Sequence, residues 1–126
     1  MYKILMLDDD SEFLEVARTI LSLHNFKVIT TAPIVDIKSV FLLHQPDLIV
    51  LDYLMGDVNG GEVCSSLKKD KITGHVPVII LTAYDKVIRS LGSYGCDVFL
   101  SKPLDFKVLI AQINKLLHVH SNGFGA

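Results

Sequence analysis

The sequence predicts one α/β domain in which a parallel sheet carries helices on both faces. Short apolar runs alternate five times with longer segments of helical periodicity, and this alternation is typical of repeated βαβ units. The chain has 126 residues, which suits a single domain with one real core. Half of the residues are apolar and 21% are charged, a balance typical of globular rather than disordered chains.

Five short segments are predicted to be the strands. The third consists of four consecutive apolar residues and shows no polar alternation, which indicates burial on both faces of a parallel sheet. The second is short and β-branched, which also favours a strand. In chain order, the predicted strands are Ile4–Leu7, Lys27–Thr31, Leu48–Leu51, Val76–Leu81 and Val98–Leu100.

Five further segments are predicted to be helices. The first begins at Ser11 as its N-cap and stops at Asn25, both fitting residues for a helix start and end. The second begins near Pro33, and the third follows Gly60-Gly61 and gives way to a polar loop from Lys68 to His75. The fourth, residues 85–94, is weakened by a glycine inside it, and the last begins near Phe106.

Apolar residues at helical spacing identify the faces of these helices that should meet the core. The expected inward positions are Phe13, Leu14, Ala17, Ile20 and Leu21 in the first helix; Ile37, Val40, Phe41 and Leu43 in the second; Val63, Cys64 and Leu67 in the third; and Phe106, Leu109, Ile110, Ile113, Leu116 and Leu117 in the last.

Right-handed crossovers between these strands make the sheet doubly wound. Its length fits the flavodoxin-like strand order 2-1-3-4-5. We expect residues 1–120 to form the domain and residues 121–126 to be a flexible tail or the start of a linker.

Composition argues against several classes of function. A net charge of −2 gives no general attraction to nucleic acid or to anionic membranes, and no apolar run approaches the length of a membrane span. Cys64 and Cys96 are unclustered, which indicates a reducing, cytoplasmic setting without a disulfide or a zinc site. His118 and His120 are two residues apart and do not share a helical face, so no histidine metal site is expected.

Polar residues follow four of the predicted strands at the ends where they finish. Asp8 and Asp9 follow the first strand, Asp52 the third, Thr82 the fourth and Lys102 the fifth. Because the carboxyl ends of parallel strands meet at one edge, these side chains should converge on one cleft. Two carboxylates about 4 Å apart repel each other by roughly 4 kcal/mol at an effective dielectric constant near 20. Three of them in one cleft therefore indicate a bound cation.

The chemistry of these residue types suggests phosphoryl transfer. Hard carboxylate oxygens with room for water suit Mg²⁺, with Mn²⁺ as the alternative. An Asp carboxylate is a known nucleophile towards phosphorus. The Lys102 ammonium and the Thr82 hydroxyl would stabilise the charge on the equatorial oxygens of the transition state.

Taken singly, each of these residues also has an ordinary structural role. The three acids from Asp8 onward could be a solvated cluster at a helix start, and Asp52 could cap a turn. Thr82 could be an N-cap, and Lys102 could lie on the surface as most lysines do. Their joint appearance at successive strand ends favours the shared site.

The chain strongly resembles the receiver domain of two-component response regulators over residues 3–118. Each matching motif is weak singly, but their order and spacing together are specific. The matching segments are Lys3-Ile4-Leu5-Met6-Leu7-Asp8-Asp9-Asp10, Pro46-Asp47-Leu48-Ile49-Val50-Leu51-Asp52, Leu81-Thr82-Ala83 and Gly95-Cys96-Asp97-Val98-Phe99-Leu100-Ser101-Lys102-Pro103-Leu104.

The resemblance implies that Asp52 accepts a phosphoryl group from a sensor histidine kinase or a histidine phosphotransfer protein. It implies that Asp9, Asp52 and the backbone carbonyl of Leu54 ligate Mg²⁺, with Asp8 acting mainly through water. Lys102 would contact the phosphoryl oxygens, and Thr82 would move inward to bond them.

The resemblance also implies how the switch is read. The rotamer of Phe99 would follow Thr82, and the Lys102–Pro103 peptide bond would be cis. Output would pass to a downstream domain or protein through the face formed by the fourth helix, the fifth strand and the last helix. Such a domain catalyses only its own phosphorylation and dephosphorylation, so it is a regulatory protein rather than an enzyme acting on a separate substrate.

Three departures from the family pattern affect the expected output. Gly56 stands where the family usually has proline, so the loop after Asp52 is expected to be looser. Phe99 lacks the hydroxyl of the commoner tyrosine, and the interval from Thr82 to Gly95 is shorter than usual. The fourth helix should therefore be short or irregular.

Other classes of protein fit less well. A haloacid dehalogenase-type phosphohydrolase would need a second Asp where this chain has Leu54, and no phosphate-binding glycine motif follows any strand. An EF-hand starting at Asp57 would need Glu where Lys68 stands. A degenerate receiver that only binds proteins remains the main alternative. The sequence is compatible with a stand-alone receiver and with a segment of a longer regulator or hybrid kinase.

Overall fold

The computed structural model of the protein describes residues 1–33, 36–84 and 95–122, with side chains to residue 118. Its helices are Ser11–Leu23 (α1), Ile37–His44 (α2), Gly60–Lys69 (α3) and Phe106–Asn122 (the C-terminal helix). Its strands are Lys3–Leu7 (β1), Lys27–Thr31 (β2), Leu48–Asp52 (β3), Leu54–Met55 (β4), Val58–Asn59 (β5), Val78–Thr82 (β6) and Val98–Ser101 (β7).

Five of the strands form one parallel sheet in the order β2-β1-β3-β6-β7. This order confirms the predicted 2-1-3-4-5 arrangement, because β4 and β5 pair with each other in a separate two-stranded sheet. All five residues of β3 are buried, as the unbroken apolar run predicts. The fourth predicted strand begins at Val78 rather than Val76, since the chain enters it through Pro77, which lacks an N–H group.

The core lies on both faces of the sheet, as expected for a doubly wound fold. Alternate residues of β1 divide between the two faces: Ile4 and Met6 pack with α1 and the C-terminal helix, whereas Leu5 and Leu7 pack with α2 and α3. This division follows from the two-residue period of a strand. The sheet thus lies between two helical layers, and the carboxyl ends of its strands lie side by side at one edge.

Three details of the first two helices differ from the predictions. Asp10, not Ser11, is the N-cap of α1, and its side chain accepts hydrogen bonds from the N–H groups of Glu12 and Phe13. Helix α2 begins at Ile37, because Asp36 caps it, rather than near Pro33. Leu43 was expected to face inward but is 77% exposed, since the face of α2 that packs on the core is formed by Ile37, Val40 and Phe41 and Leu43 lies to one side of it.

The segment after Asp52 is more ordered than its glycines suggest. Strands β4 and β5 form a small antiparallel hairpin, and Gly56 adopts a φ of 63° in its turn, where a residue with a side chain would be strained. The sequence predicted a loose loop here and missed this pairing. Helix α3 begins at Gly60 and continues to Lys69, so the predicted loop from Lys68 starts later than expected.

The remaining helix predictions concern where helices end. Asn25 has a φ of 66° just after α1, which fits its predicted role as the helix stop. The C-terminal helix runs to Asn122, two residues into the expected tail. The predicted fourth helix, residues 85–94, lies outside the described residues. Among the helices that are described, none has the length and apolar character to cross a bilayer.

Candidate functional site

The strand order brings the predicted site residues to one edge of the sheet. Strands β1 and β6 flank β3, and β7 lies beside β6. Leu7 pairs with Leu51, so Asp8 and Asp52 lie at the same level of neighbouring strands. On the other side, Thr82 pairs with Ser101, which places Lys102 one residue beyond the edge.

Three carboxylates meet at this edge. Asp8, Asp9 and Asp52 each offer an oxygen, and these oxygens lie within 4.8 Å of one another. Asp8 is 3% exposed and Asp52 8% exposed, whereas Asp9 is exposed to solvent. Hard oxygen donors this close, with one open side, fit the ligand preference of Mg²⁺, which uses a few carboxylates and keeps several waters.

Lys102 reaches across the edge and joins two of these acids. Its Nζ lies 3.1 Å from Asp8 Oδ2 and 3.0 Å from Asp52 Oδ1. The ammonium therefore sits between the two buried carboxylates and offsets part of their repulsion. The Lys102–Pro103 peptide bond is cis, which is the geometry that the resemblance implies.

Burial dominates the electrostatics of the two buried acids. Desolvation raises the pKa of the Asp8 carboxyl, although the Asp10 N–H and the Lys102 ammonium partly oppose the shift. Desolvation also raises the pKa of Asp52, with Lys102 opposing and the charge of Asp8 adding to the rise. Burial alone would lower the pKa of Lys102, but its bonds and attraction to Asp52 and Asp8 outweigh that effect and raise it. The site therefore holds a charged lysine between acids whose ionisation is unfavourable.

Thr82 lies beside this group, at the end of β6. Its side chain is 1% exposed, and its Oγ1 accepts a hydrogen bond of 2.9 Å from the Tyr84 N–H. It faces a pocket of about 220 Å³, a volume that could hold a phosphoryl group with a few waters. The residues that line the pocket are Asp52, Tyr53, Leu54, Thr82, Ala83, Tyr84 and Lys102.

The run of three acids after β1 divides into two roles. Asp10 caps α1, which is the ordinary helix-start role considered above for all three acids. Asp8 is buried in the site, and its Oδ1 accepts a hydrogen bond of 2.9 Å from the Asp10 N–H. The cap of α1 and the acidic cluster are thus one connected unit.

Gly60 supports the site, and sequence reasoning missed this role. A Cβ atom on Gly60 would lie 2.1 Å from the backbone oxygen of Asp52, so only glycine allows α3 to start this close to β3. The Gly60 N–H also donates a 2.7 Å hydrogen bond to the Tyr53 carbonyl. The Gly60-Gly61 pair after the turn was the available signal, but spacing alone did not show what approached it.

The remaining predicted residues lie close by. Leu54 begins β4 and lines the pocket. Phe99 is half-buried and packs against the core cluster that faces α2 and α3. The structure thus brings the three acids together, with Lys102 against two of them. Thr82 and Leu54 line the pocket that Asp52 and Lys102 also line.

Comparison with protein families identifies a match over most of the chain. The model described as "Response regulator receiver domain" matches residues 4–114. The nisin biosynthesis regulatory protein NisR of Lactococcus lactis subsp. lactis is 34% identical over 116 residues, which cover 90% of this chain and 49% of that protein. The heme response regulator HssR of Staphylococcus saprophyticus is 32% identical over 119 residues, covering 93% of this chain and 52% of HssR. The chain therefore spans about half the length of these curated relatives.

Solved structures show the same fold. The signal receiver domain of a signal transduction histidine kinase from Syntrophus aciditrophicus has a TM-score of 0.84 and 30% identity, covering 94% of this chain and 91% of that one. The response regulator TrrA of Thermotoga maritima, solved in complex with Mg²⁺-BeF, has a TM-score of 0.81 and 28% identity, covering 92% and 99%. The family match, the relatives and the arrangement at the sheet edge agree: this chain belongs to the receiver domains of two-component response regulators.

Proposed function

We propose that the chain is a phosphoacceptor switch in which Asp52 takes a phosphoryl group from a phosphohistidine donor. The observation that carries this proposal is the position of Lys102, paired at 3.0 Å with Asp52 and at 3.1 Å with Asp8. An ammonium held beside a buried carboxylate at the mouth of a pocket can meet the charge of an arriving phosphoryl group. The donor is the phosphoimidazole of a sensor histidine kinase or of a histidine phosphotransfer protein.

In the proposed reaction, a carboxylate oxygen of Asp52 forms a bond to phosphorus. The bond from phosphorus to the donor's imidazole nitrogen breaks, and its electron pair stays on that nitrogen. Burial raises the pKa of Asp52, while the Lys102 ammonium favours the ionised form that attacks. Lys102 then bonds the phosphoryl oxygens, so it keeps a negative partner throughout the transfer.

A divalent cation completes the proposed site. Asp8, Asp9 and Asp52 fit it by the closeness of their oxygens, and the Leu54 carbonyl would be a further ligand. When bound, Mg²⁺, or Mn²⁺ in its place, would neutralise charge on the transferring phosphoryl group. The mixed exposure of the three acids leaves an open side for water and donor.

The proposed switch starts at Thr82. Its hydroxyl now accepts from the Tyr84 N–H, and in the phosphorylated state it would donate to a phosphoryl oxygen. Because Thr82 is buried and its strand pairs with β7, such a movement would change the rotamer of Phe99. Partner binding would then change on the face that includes β7 and the C-terminal helix.

The relatives suggest where the signal goes. NisR and HssR are named as regulators and are about twice as long as the match, so we propose that the receiver controls an output domain or a separate partner protein. The family match and Leu54, which stands where a phosphohydrolase of the haloacid dehalogenase type has its second Asp, favour a regulatory role over hydrolysis of a separate phosphate ester. The unclustered cysteines favour the cytoplasm as its location.

Intact mass spectrometry tests the acceptor assignment directly. Incubation with acetyl phosphate and Mg²⁺ should add one phosphoryl group to the wild-type chain, and omission of Mg²⁺ should prevent the addition. Asp52→Asn should not be labelled, because an amide is not a nucleophile for this reaction. Asp57→Asn is the matched control, since it removes a carboxylate five positions along the chain in the hairpin turn and should label normally.

Normal labelling of Asp52→Asn would refute the acceptor assignment. A wild-type chain that gains no phosphoryl group from acetyl phosphate or from a phosphorylated histidine phosphotransfer protein would instead favour the binding-only alternative.

A further inference from the structure

Lys102 has a third neighbour besides its two acids. Its Nζ lies over the aromatic ring of Phe13, 5.0 Å from the ring centroid. This distance is within the range in which an ammonium is attracted to the negative face of a ring. The Lys102 side chain is only 27% exposed, and cation–π attraction strengthens as the cation loses water.

Phe13 is itself held on two sides. Its ring stacks on Phe106, with centroids 6.0 Å apart and an interplanar angle of 22°. Its backbone N–H donates to the Asp10 side chain at 3.1 Å, and the Asp10 N–H donates to Asp8. The Phe13 ring is therefore placed by the same helix cap that holds one of the two acids.

The three neighbours of Lys102 differ in what happens to them during phosphoryl transfer. The oxygens of Asp8 and Asp52 would be drawn to the metal, and one oxygen of Asp52 becomes bonded to phosphorus. The Phe13 ring can neither be metallated nor phosphorylated. Of the contacts that the described residues make with the Lys102 ammonium, the ring is thus the one that the reaction leaves unchanged.

We infer that Phe13 is a positioning residue for Lys102 in the phosphoryl transfer proposed above, on which its part in the reaction rests. The ring face holds the ammonium over the carboxyl edge while its two carboxylate partners change. Phe106, four residues beyond Lys102, supports the ring from the start of the C-terminal helix. The aromatic pair thereby links the position of Lys102 to the packing of α1 against that helix.

The contact itself is tested without any phosphorylation. Protons held over an aromatic ring resonate upfield, so the Lys102 Hε signals in the metal-free wild type should lie upfield of those of exposed lysines. Phe13→Leu keeps an apolar side chain but removes the ring, and should return these signals to the ordinary range. Phe13→Tyr keeps the ring face and should preserve the upfield position.

The consequence for the reaction is tested by labelling rates with acetyl phosphate and Mg²⁺. Phe13→Leu should label about fivefold more slowly than wild type, the loss expected from one partly desolvated cation–π contact, and Phe13→Tyr should restore the rate. In a Lys102→Ala background, Phe13→Leu should cause no further slowing, because the ring acts through the ammonium. Phe106→Leu should slow labelling less than Phe13→Leu, since it removes only the stacking partner.

Phe26→Leu is the matched control for packing. Phe26 is 6% exposed and belongs to the same core cluster that Phe13 packs against, so its truncation should lower the melting temperature while leaving the Lys102 signals and the labelling rate unchanged.

Two results would overturn the positioning role: Lys102 signals that do not move in Phe13→Leu, or equal slowing by Phe13→Leu with and without Lys102. A wild-type chain that is never labelled would overturn the proposed function instead, and the resonance positions would still decide whether Phe13 holds Lys102.

Discussion

The two edges of the sheet use aspartate in opposite ways. At the amino edge, Asp47 and Asp97 each precede a strand, and each donates its N–H to the carbonyl of a residue that begins the neighbouring strand and accepts that residue's N–H in return. For Asp47 the partner is Lys3, with both distances 2.8 Å; for Asp97 it is Val78, at 3.0 and 2.7 Å. These carboxylates are used to start strands side by side.

At the carboxyl edge, Asp8 and Asp52 are more deeply buried than Asp47 and Asp97. Asp8 accepts one backbone N–H and shares Lys102 with Asp52, and burial raises the pKa of both carboxyls. The hydrogen bonds of Asp47 and Asp97 should therefore stabilise the fold, whereas the buried charges of Asp8 and Asp52 should lower its stability and leave oxygens for the proposed metal and phosphoryl group. The fold tolerates this electrostatic cost because the hydrogen bonds at the amino edge and the buried core offset it.

The largest stability effect is expected when an amino-edge carboxylate is removed. Asp97→Ala deletes the acceptor for the buried Val78 N–H and the 2.8 Å ion pair with Lys68. The free energy of unfolding should fall by about 2 kcal/mol, the usual loss for a hydrogen bond to a charged group. Urea denaturation measures the loss, and labelling of the folded variant by acetyl phosphate should remain. A variant that is as stable as wild type would show that the Asp97 carboxylate contributes nothing to stability.

Removing a charged carboxylate at the carboxyl edge should instead raise the free energy of unfolding. Asp52→Asn removes a charge whose folded-state pKa lies above its unfolded value. Such a carboxylate destabilises the fold above the folded-state pKa and ceases to do so as the pH falls below the unfolded value. At pH 7 the variant should therefore be more stable than the wild type.

Parallel urea titrations of wild type and Asp52→Asn from pH 7 down to pH 4 measure this difference. The advantage of the variant should shrink with falling pH, as the wild-type carboxyl takes up a proton. An advantage that is absent at pH 7, or that grows on acidification, would contradict the view that Asp52 is held ionised at a cost.

Features of the fold that follow from chain direction and side-chain period could be predicted from the sequence. The apolar runs and their order predict the sheet, and the acids, Thr82 and Lys102 at strand ends predict the site, because both follow from chain direction and side-chain period. The hydrogen bonds by which Asp47 and Asp97 join neighbouring strands were not predicted, although an aspartate directly before a strand was visible in each case. Its partner belongs to another strand, and that pairing exists only in the folded sheet.

The errors at helix ends have a related cause. Ser11 and Asp10 are both good caps, and the choice between them depends on where Asp8 is held. Likewise, the glycines after Asp52 predict a turn, but the hairpin at Gly56 and the close approach at Gly60 depend on where α3 meets β3. Contact between Phe13 and Lys102, distant in sequence, was equally outside what spacing could show.

The smallest expected effect is the most direct test of the contrast between the edges. Asp47→Asn makes the same chemical change as Asp52→Asn, but the amide oxygen can still accept the Lys3 N–H. If the amino edge needs the oxygen and not the charge, the free energy of unfolding should stay within about 0.5 kcal/mol of wild type, and labelling should be unaffected. A gain in stability as large as that of Asp52→Asn would mean that charge is unfavourable at both edges, and the carboxyl edge would then lose its distinction as the place where repulsion is concentrated.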